Sequence, residues 1–547
     1  MQKTSRGGHA TTMSTAKGEP IQEILTELRQ LDETLESWLA QLAQNPLSGA
    51  AEYVGDVRAA YARLKAGMGR NSDVLLRFLT VPACPDGPVL VAAVDGLTDT
   101  QMVDQDVIQP LLTTQSPPAG WGQGVISPAH VSQSRRWPDL LQKLASGNTL
   151  LFAPGLPFAW VVDTVKYPQR SIDRPQTELA VRGPEEAFTE VLLTQKAQIR
   201  HRLRTPQLMF HDVTIGQVQQ TNATVAYLEG VANEALVRTV VERIQAVDID
   251  GAVNVTQLAG LIRDHPLSIF PTIRQTERLD LAVWRLLEGA VVIMMDGDPF
   301  VLIAPAPLID FYRTAMDYSS SWIDTSFVRT VRFLGWIMGI YLPALFVALS
   351  EVNPSVLPTS LYVVMQGSNV GLPFPPVVQV ALMIIVIETL REAALRLPKA
   401  LSTTIGTVGA IVVGTAVVKA GLVDTQIIVI MTLTALSLFS TPVYELTGTW
   451  RAIGFLMLVS ALYFGIMGIA LLTVAVIAVL VDMRTFGTPY FEPWAPFRGP
   501  EWVDAVWRVP WTRITRRWSG PRSPKRDWRR PVTVEAEPLL NKGRIGP

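Results

Sequence analysis

The sequence predicts an α+β cytoplasmic region of two related α/β subdomains, followed by an α-helical polytopic membrane domain. Three observations carry that prediction. Residues 1–330 have the mixed composition of a soluble protein, whereas 331–482 hold long apolar runs of the kind that fill a bilayer. Within the soluble part, two stretches recur without gaps and in the same order. From Arg484 to the end, 13 Lys/Arg stand against six Asp/Glu, and a basic segment beside an apolar run is the cytoplasmic signature. The chain of 547 residues is otherwise charge-poor, with 17% Asp, Glu, Lys and Arg where soluble domains average about 25%.

Residues 1–69 form a helical lead-in, with Ile21, Ile24, Leu25, Leu28, Leu31, Leu35, Leu39 and Leu42 at helical spacing. Residues 1–20 lack an apolar core, so no signal peptide is expected there. Subdomain 1 spans 70–165. It opens with an apolar strand and an Asp-Gly turn (88–99), followed by a helix (101–112). Residues 91–109 align on 225–243, pairing Gly96 with Gly230, and 147–162 align on 289–304, pairing Gly147 with Gly289 and Gly155 with Gly297. The second copy defines subdomain 2, 206–310. In each copy a strand, turn and helix open the unit and a hairpin with a Gly-x-Pro-Phe turn closes it.

Between the copies, 166–205 form a charged helical bridge. Arg182, Gly183 and Pro184 read as a turn into a helix, with Glu185 and Glu186 at its N-terminus and Arg200, His201, Arg202 and Arg204 near its C-terminus, as the helix dipole favours. The pattern fits a well-capped, solvated helix, or a docking surface for a partner or neighbouring protomer.

The region 311–482 contains five apolar runs: 333–350, 373–390, 403–423, 427–443 and 452–481. The second is short and proline-rich at its start, and it is either a full span or a re-entrant segment. It ends in a charged knot of Glu388, Arg391, Glu392, Arg396 and Lys399, in which positions three and four apart share a helix face. That knot is either a plain helix end or a charged collar at the inner mouth of a pathway. Gly406, Ala410 and Gly414 repeat at four-residue spacing, a pattern that lets helix backbones approach closely. The fifth run, 30 residues long, is one tilted helix or a hairpin near Gly465 and Gly468. Four to six crossings follow, and 483–547 are the basic cytoplasmic tail.

No catalytic chemistry stands out, and no enzyme is expected. The sequence has no phosphate-binding loop of the Gly-x-x-x-x-Gly-Lys type and no nucleophile elbow, and its five histidines lie far apart. The pairs Asp95/Asp99, Asp248/Asp250 and Asp296/Asp298 follow strands, where aspartate serves turns. The one cysteine, Cys84, rules out an internal disulfide. No metal or cofactor is expected, nor nucleic-acid binding, since the membrane region already accounts for the basic tail.

Pro373-Phe374-Pro375, then Glu388, Arg391, Glu392 and Ala393, then Arg396-Leu397-Pro398 and the glycine-rich run after it, resemble the signature of the A subunits of GerA-type spore germinant receptors. Asn71-Ser72-Asp73 with Arg77, Arg182-Gly183-Pro184 with Phe188, Glu190 and Arg200, Asp296–Pro299, Asp317-Tyr318, and Pro489-Tyr490 with Pro493, Pro496, Asp504 and Pro510 extend the resemblance from about residue 70 to 510. The chain departs from it at Gln195, where the family often has Asn. The resemblance implies a multi-pass protein of the spore inner membrane, an oligomeric channel-like element that releases ions when a nutrient binds. It implies a transporter-like B subunit and a lipoprotein C subunit as partners, and contact with membrane lipid. A stage V sporulation AF-type accessory protein is the near alternative, and a membrane transporter or membrane-bound enzyme the distant one.

Overall fold

The computed structural model describes residues 52–128, 130–167, 174–175, 177–178, 182–396, 417–502 and 504–528. The lead-in positions Ile21–Leu42, Lys399, and Gly406, Ala410 and Gly414 lie outside these residues, as does the side chain of Arg396. Two compact units result, residues up to Tyr167 with Leu203–Met209, and Pro168–Arg202 with Phe210 onward.

In the first unit α1 (Val57–Gly67) precedes strands β1 (Val74–Leu79) and β2 (Val89–Val94). The helical stretch α2 (100–113) follows, then β3 (Val131–Ser134), α3 (Trp137–Ala145), β4 (Thr149–Phe152) and β5 (Ala159–Val162). The strands form one antiparallel sheet of order β1-β2-β4-β5-β3. All six residues of β2 are buried, which is why it reads as a continuous apolar run rather than an alternating one. Asp99 caps α2 by accepting from Met102 N at 3.3 Å, so the aspartate does turn and cap work.

The second unit repeats this order. It comprises α4 (Leu192–Arg202), most of β6 (Leu208–Ile215), β7 (Thr221–Leu228), α5 (Glu234–Gln245), α6 (Val255–Ile262), β8 (Arg274–Thr276), α7 (Leu279–Glu288), β9 (Val291–Met295) and β10 (Val301–Ala304). Its sheet runs β6-β7-β9-β10-β8, which is the first sheet's order strand for strand. The three aligned glycine pairs all have positive φ: 79° and 75° at Gly96 and Gly230, 95° and 97° at Gly147 and Gly289, 75° and 86° at Gly155 and Gly297. These turns need the left-handed region that only glycine enters without penalty.

The bridge differs from its expected form. Its helix begins at Leu192, so Glu185 and Glu186 do not sit at a helix N-terminus. The segment before it is extended, with Ala187 bridging Arg278 and Phe188 N donating to Glu277 O at 2.8 Å. Strand-like pairing outweighs the local helical pattern. Nor is α4 solvated. Seven of its eleven residues are buried, including Lys196 and Arg200. Gln195 Nε2 donates to Asp298 O at 2.8 Å and Lys196 Nζ pairs with Asp212 at 2.7 Å.

The helical part contains α8 (Trp322–Val347), continued by a π-turn to Val352, α9 (Thr359–Asn369), α10 (Pro376–Arg396), α11 (Thr425–Phe439) and α12 (Tyr444–Asp482). Two of these helices, Trp322–Val352 and Tyr444–Asp482, are long and apolar enough to cross a membrane. From Pro376 to Arg396 the apolar stretch and the charged residues after it form one uninterrupted helix. In α12, Gly465 is non-helical (φ 59°, ψ −141°). Thr449 Oγ1 donates to Ile269 O at 2.6 Å and Ser268 Oγ lies 3.5 Å from Met483 Sδ. A straight helix would hold positions 449 and 483 about 51 Å apart, so the chain doubles back into a hairpin. Its tip is held by Asn353, whose Oδ1 accepts from Ile466 N at 3.0 Å. Close packing between helices falls on glycines: a Cβ on Gly339 would meet Leu438 at 2.9 Å, and one on Gly454 would stand 3.5 Å from Gly339 O.

Two stability predictions follow from these backbones. Gly289→Ala and Gly297→Ala each force a side chain into positive φ, a loss of roughly 1–2 kcal/mol. Only Gly289 also has a carbonyl, Val231 O, 2.8 Å from where the methyl would stand, whereas Gly297 has open space. The thermal midpoint of the detergent-solubilised protein should fall further for Gly289→Ala, and equal falls would contradict the close approach. Gly465→Ala strains a near glycine-only conformation by roughly 1–3 kcal/mol and drives the methyl into Asn353 Oδ1. An unchanged midpoint for this variant would remove the reversal from Gly465.

Candidate functional site

The helical part of the second unit joins its α/β subdomain through a buried network of charge. The chain leaves β10 through two short helical turns, 308–311 and 315–318, into α8. Thr314 and Asp317 form a capping box, which fixes the Asp317 carboxylate beside the first turns of α8. Arg329 and Arg332, one turn apart, present their guanidiniums to it. Arg329 Nε donates to Asp317 Oδ2 at 3.0 Å, and Arg332 Nη1 donates to the same oxygen at 3.1 Å and to Tyr312 O at 2.7 Å.

The tail supplies the other half. Arg329 Nη1 donates to Asp504 O at 2.9 Å and lies 3.4 Å from Asp504 Oδ1. Arg313 Nη2 donates to the same carbonyl at 2.9 Å, and Tyr318 donates its hydroxyl to Asp504 Oδ2 at 3.1 Å. Arg508 reaches Asp504 at 3.4 Å and stacks 4.4 Å over the Tyr318 ring. Ser326 closes the contact, donating to Arg508 O at 3.1 Å and accepting from Arg508 N at 3.0 Å. Arg329 is 0% exposed. A charge so placed persists only with partners, and their removal costs several kcal/mol. Burial alone would raise the Asp317 carboxyl's pKa, but Arg329 and Arg332 outweigh it and hold it below the usual aspartate range.

A second cluster lies beside the first. Arg285 contacts Glu288 and pairs with Asp310 at 2.6 Å, and Arg274 donates to Arg313 O at 3.1 Å. One guanidinium here faces two carboxylates. Burial, with Asp310 adding to it, pushes the Glu288 carboxyl above its ordinary value despite Arg285. A cavity of about 160 Å³ lies between the clusters, lined by Trp284, Glu288, Asp310 and Tyr318 among others. Among the described residues, no group of three or more His, Cys, Asp or Glu is placed to hold a metal ion.

The residues singled out from sequence fall elsewhere. Arg391 pairs with Glu388 at 3.0 Å, and Glu388 also takes Arg451 of α12 at 2.6 Å, a partner that sequence spacing could not reveal. Arg391 stands 5.7 Å over the Phe439 ring of α11. The knot therefore ties three helices together, while Glu392 is exposed. In the bridge, Pro184 O accepts from Arg278 at 3.1 Å, Glu190 O accepts from Gly297 N at 2.8 Å, and Arg200 lies buried 5.0 Å over Phe210. Arg182 and Gly183 are exposed. Asp317, Tyr318 and Asp504 belonged to blocks of the resemblance without an assigned role. Arg329 carried one signal only, a charge just before an apolar run.

The two carboxyls have opposite linkage. Asp317→Asn leaves two buried guanidiniums short of a counter-charge, and should cost about 3–5 kcal/mol. Because its folded pKa is depressed, the Asp317 contribution is complete above the unfolded value near pH 3.9 and is lost as pH falls below it. Glu288 has a raised folded pKa, so its ionisation weakens the fold as pH rises above the unfolded value near 4.3. Glu288→Gln should therefore be neutral or stabilising at pH 7. Thermal unfolding from pH 3 to 8 checks both, and a Gln variant that loses as much as Asp317→Asn would refute the assignment.

The family described as Bacillus/Clostridium GerA spore germination protein matches residues 62–519. Spore germination protein KA of Bacillus subtilis (strain 168) is 32% identical over 488 residues, covering 88% of this chain and 87% of that protein. Spore germination protein B1 of the same organism is 35% identical over 458 residues, covering 83% and 95%. The crystal structure of the N-terminal domain of the A subunit of the Bacillus megaterium spore germinant receptor GerK3 is 27% identical, covering 47% of this chain and 96% of that one, with a TM-score of 0.36. The chain belongs to the GerA family of spore germination proteins.

Proposed function

We propose that this chain is the A subunit of a nutrient germinant receptor in the spore inner membrane, a channel-like, oligomeric element that releases ions when nutrient binds a partner B subunit. A lipoprotein C subunit completes the receptor in this reading, and the chain itself catalyses no reaction. The observation that carries it, beyond family membership, is the buried Asp317–Arg329–Asp504 network. It mechanically joins the α/β subdomain, the first membrane-length helix and the tail, as an element that transmits a signal to a membrane pathway requires.

Topology supports the same reading. The tail packs on subdomain 2, with Thr485 Oγ1 donating to Thr272 O at 2.7 Å and Trp528 lying 4.5 Å from Trp284. In this reading both lie on one side of the membrane, and the helices between them make an even number of crossings. The α12 hairpin supplies two arms, and six crossings follow if α10 and 403–423 each span. The positive-inside bias of the basic tail favours the cytoplasm as that shared side. The knot at Glu388, Arg391 and Arg451 then lies among the helices as the candidate gate.

The test is made in spores. Arg329→Lys keeps the charge but loses the planar fork that reaches Asp317 and Asp504 together. With protein abundance matched, nutrient-triggered ion release should slow at least tenfold. Glu388→Gln, which unties α12 from α10, should change release in the same assay. Normal release from both variants would sink the coupling role.

A further inference from the structure

The tail does more than pack. Residues 513–528 fold back on themselves, with Arg517 N donating to Arg526 O at 2.7 Å, Trp528 N donating to Thr515 O at 2.9 Å, and the Arg517 guanidinium donating to Asp527 O at 2.6 Å. Between this fold, α7 and the residues Arg498, Glu501 and Asp504 lies a cavity of about 500 Å³. Seven arginines line it against three carboxylates, Glu288, Glu501 and Asp504.

Those three carboxylates are already committed. Glu288 faces Arg285, Glu501 accepts from Ser519 Oγ at 2.8 Å, and Asp504 serves Arg329, Arg313 and Arg508. Arg513, Arg516 and Arg526 share one concavity with Arg522, which donates to Gly487 O at 2.9 Å and feels the Glu492 carboxylate, and among the described residues none of the four forms an ion pair with Glu288, Glu501 or Asp504. Like charges gathered in a cleft repel one another, and a bound anion relieves that repulsion. The guanidinium fork matches the oxygens of a phosphate two at a time. Trp284, Trp518 and Trp528 supply aromatic walls.

We propose that this cavity binds a phosphate-bearing anion, held by Arg513, Arg516, Arg522 and Arg526. Two sources share that chemistry: the headgroup of an anionic phospholipid and a soluble phosphate. The headgroup is within reach, because the cavity lining includes Asp504, which contacts the first turns of α8, and because the tail begins directly after the second membrane-length helix. The site stands independently of the receptor reading, since it rests on the tail's own geometry.

The full chain, purified in an uncharged detergent, is titrated with inorganic pyrophosphate by calorimetry and, separately, with fluorescent phosphatidylglycerol in mixed micelles, using phosphatidylcholine as the lipid control. Arg513→Gln/Arg516→Gln and Arg522→Gln/Arg526→Gln should each weaken binding at least tenfold. Arg58→Gln/Arg238→Gln, at exposed positions that do not line the cavity, should leave it unchanged. Thermal midpoints are measured on all variants, and either tail pair that still folds is sufficient. Saturable binding of pyrophosphate supports a soluble ligand, and binding of phosphatidylglycerol alone supports the headgroup. The proposal is overturned if neither probe saturates, or if the tail variants bind as the wild type does, or if the Arg58/Arg238 control weakens binding equally.

Discussion

Arg329 sits in the first membrane-length helix with no exposure to solvent, and that fact constrains much of the second unit. A guanidinium stays charged at any pH a cell meets, so burial cannot neutralise it. Its partners must come to it. Asp317 comes from the turn just before the helix, and Asp504 from a segment 175 residues further along the chain. Neither alone satisfies the fork, since Nε and Nη1 point to different partners. The helices between 332 and 482 must therefore return the chain to where it left the subdomain.

The rest of the helical part reads as the means of that return. The break at Gly465 turns a run of 39 residues into two antiparallel arms, so that its start and its end both meet the loop at Ser268 and Ile269. Glycines at 335, 339 and 454 let α8 lie close to α11 and to the first arm. Glu388, with one charge shared between Arg391 and Arg451, anchors α10 to the same arm. Each device is local in chemistry but joins elements distant in sequence.

That distance separates what was legible from what was not. The duplication was readable because aligned glycines mark turns whose positive φ is a local backbone demand, and both copies keep it. Glu388 with Arg391 was readable because three-residue spacing on a helix is a local relation. Arg451, 63 residues beyond Glu388, and Asp504 opposite Arg329 leave no periodic trace. The bridge misled for a related reason. Glu185 and Glu186 suit a helix start by charge, but Ala187 and Phe188 pair with Arg278 and Glu277, and that tertiary pairing holds the segment extended until Leu192. The tail's basic character was plain, yet its division into arginines consumed by carboxylates and arginines facing a cavity depends wholly on folding.

The network also has a direction. Asp317 belongs to the turn that feeds α8, and Arg329 and Arg332 belong to α8 itself, so these three groups move together. Asp504 and Arg508 belong to the tail. A displacement of α8 against the tail would break the Asp504 contacts while sparing those to Asp317. Arg329 would keep one carboxylate and lose the other, leaving it half-compensated rather than bare. That difference matters energetically, because each partner removed from a buried charge costs several kcal/mol, a large share of the total stability of a fold, so that losing one of two is a far smaller step than losing both. A buried charge shared between a local and a distant carboxylate is thus compatible with two arrangements of the same helix, and the distant one, Asp504, is where they differ.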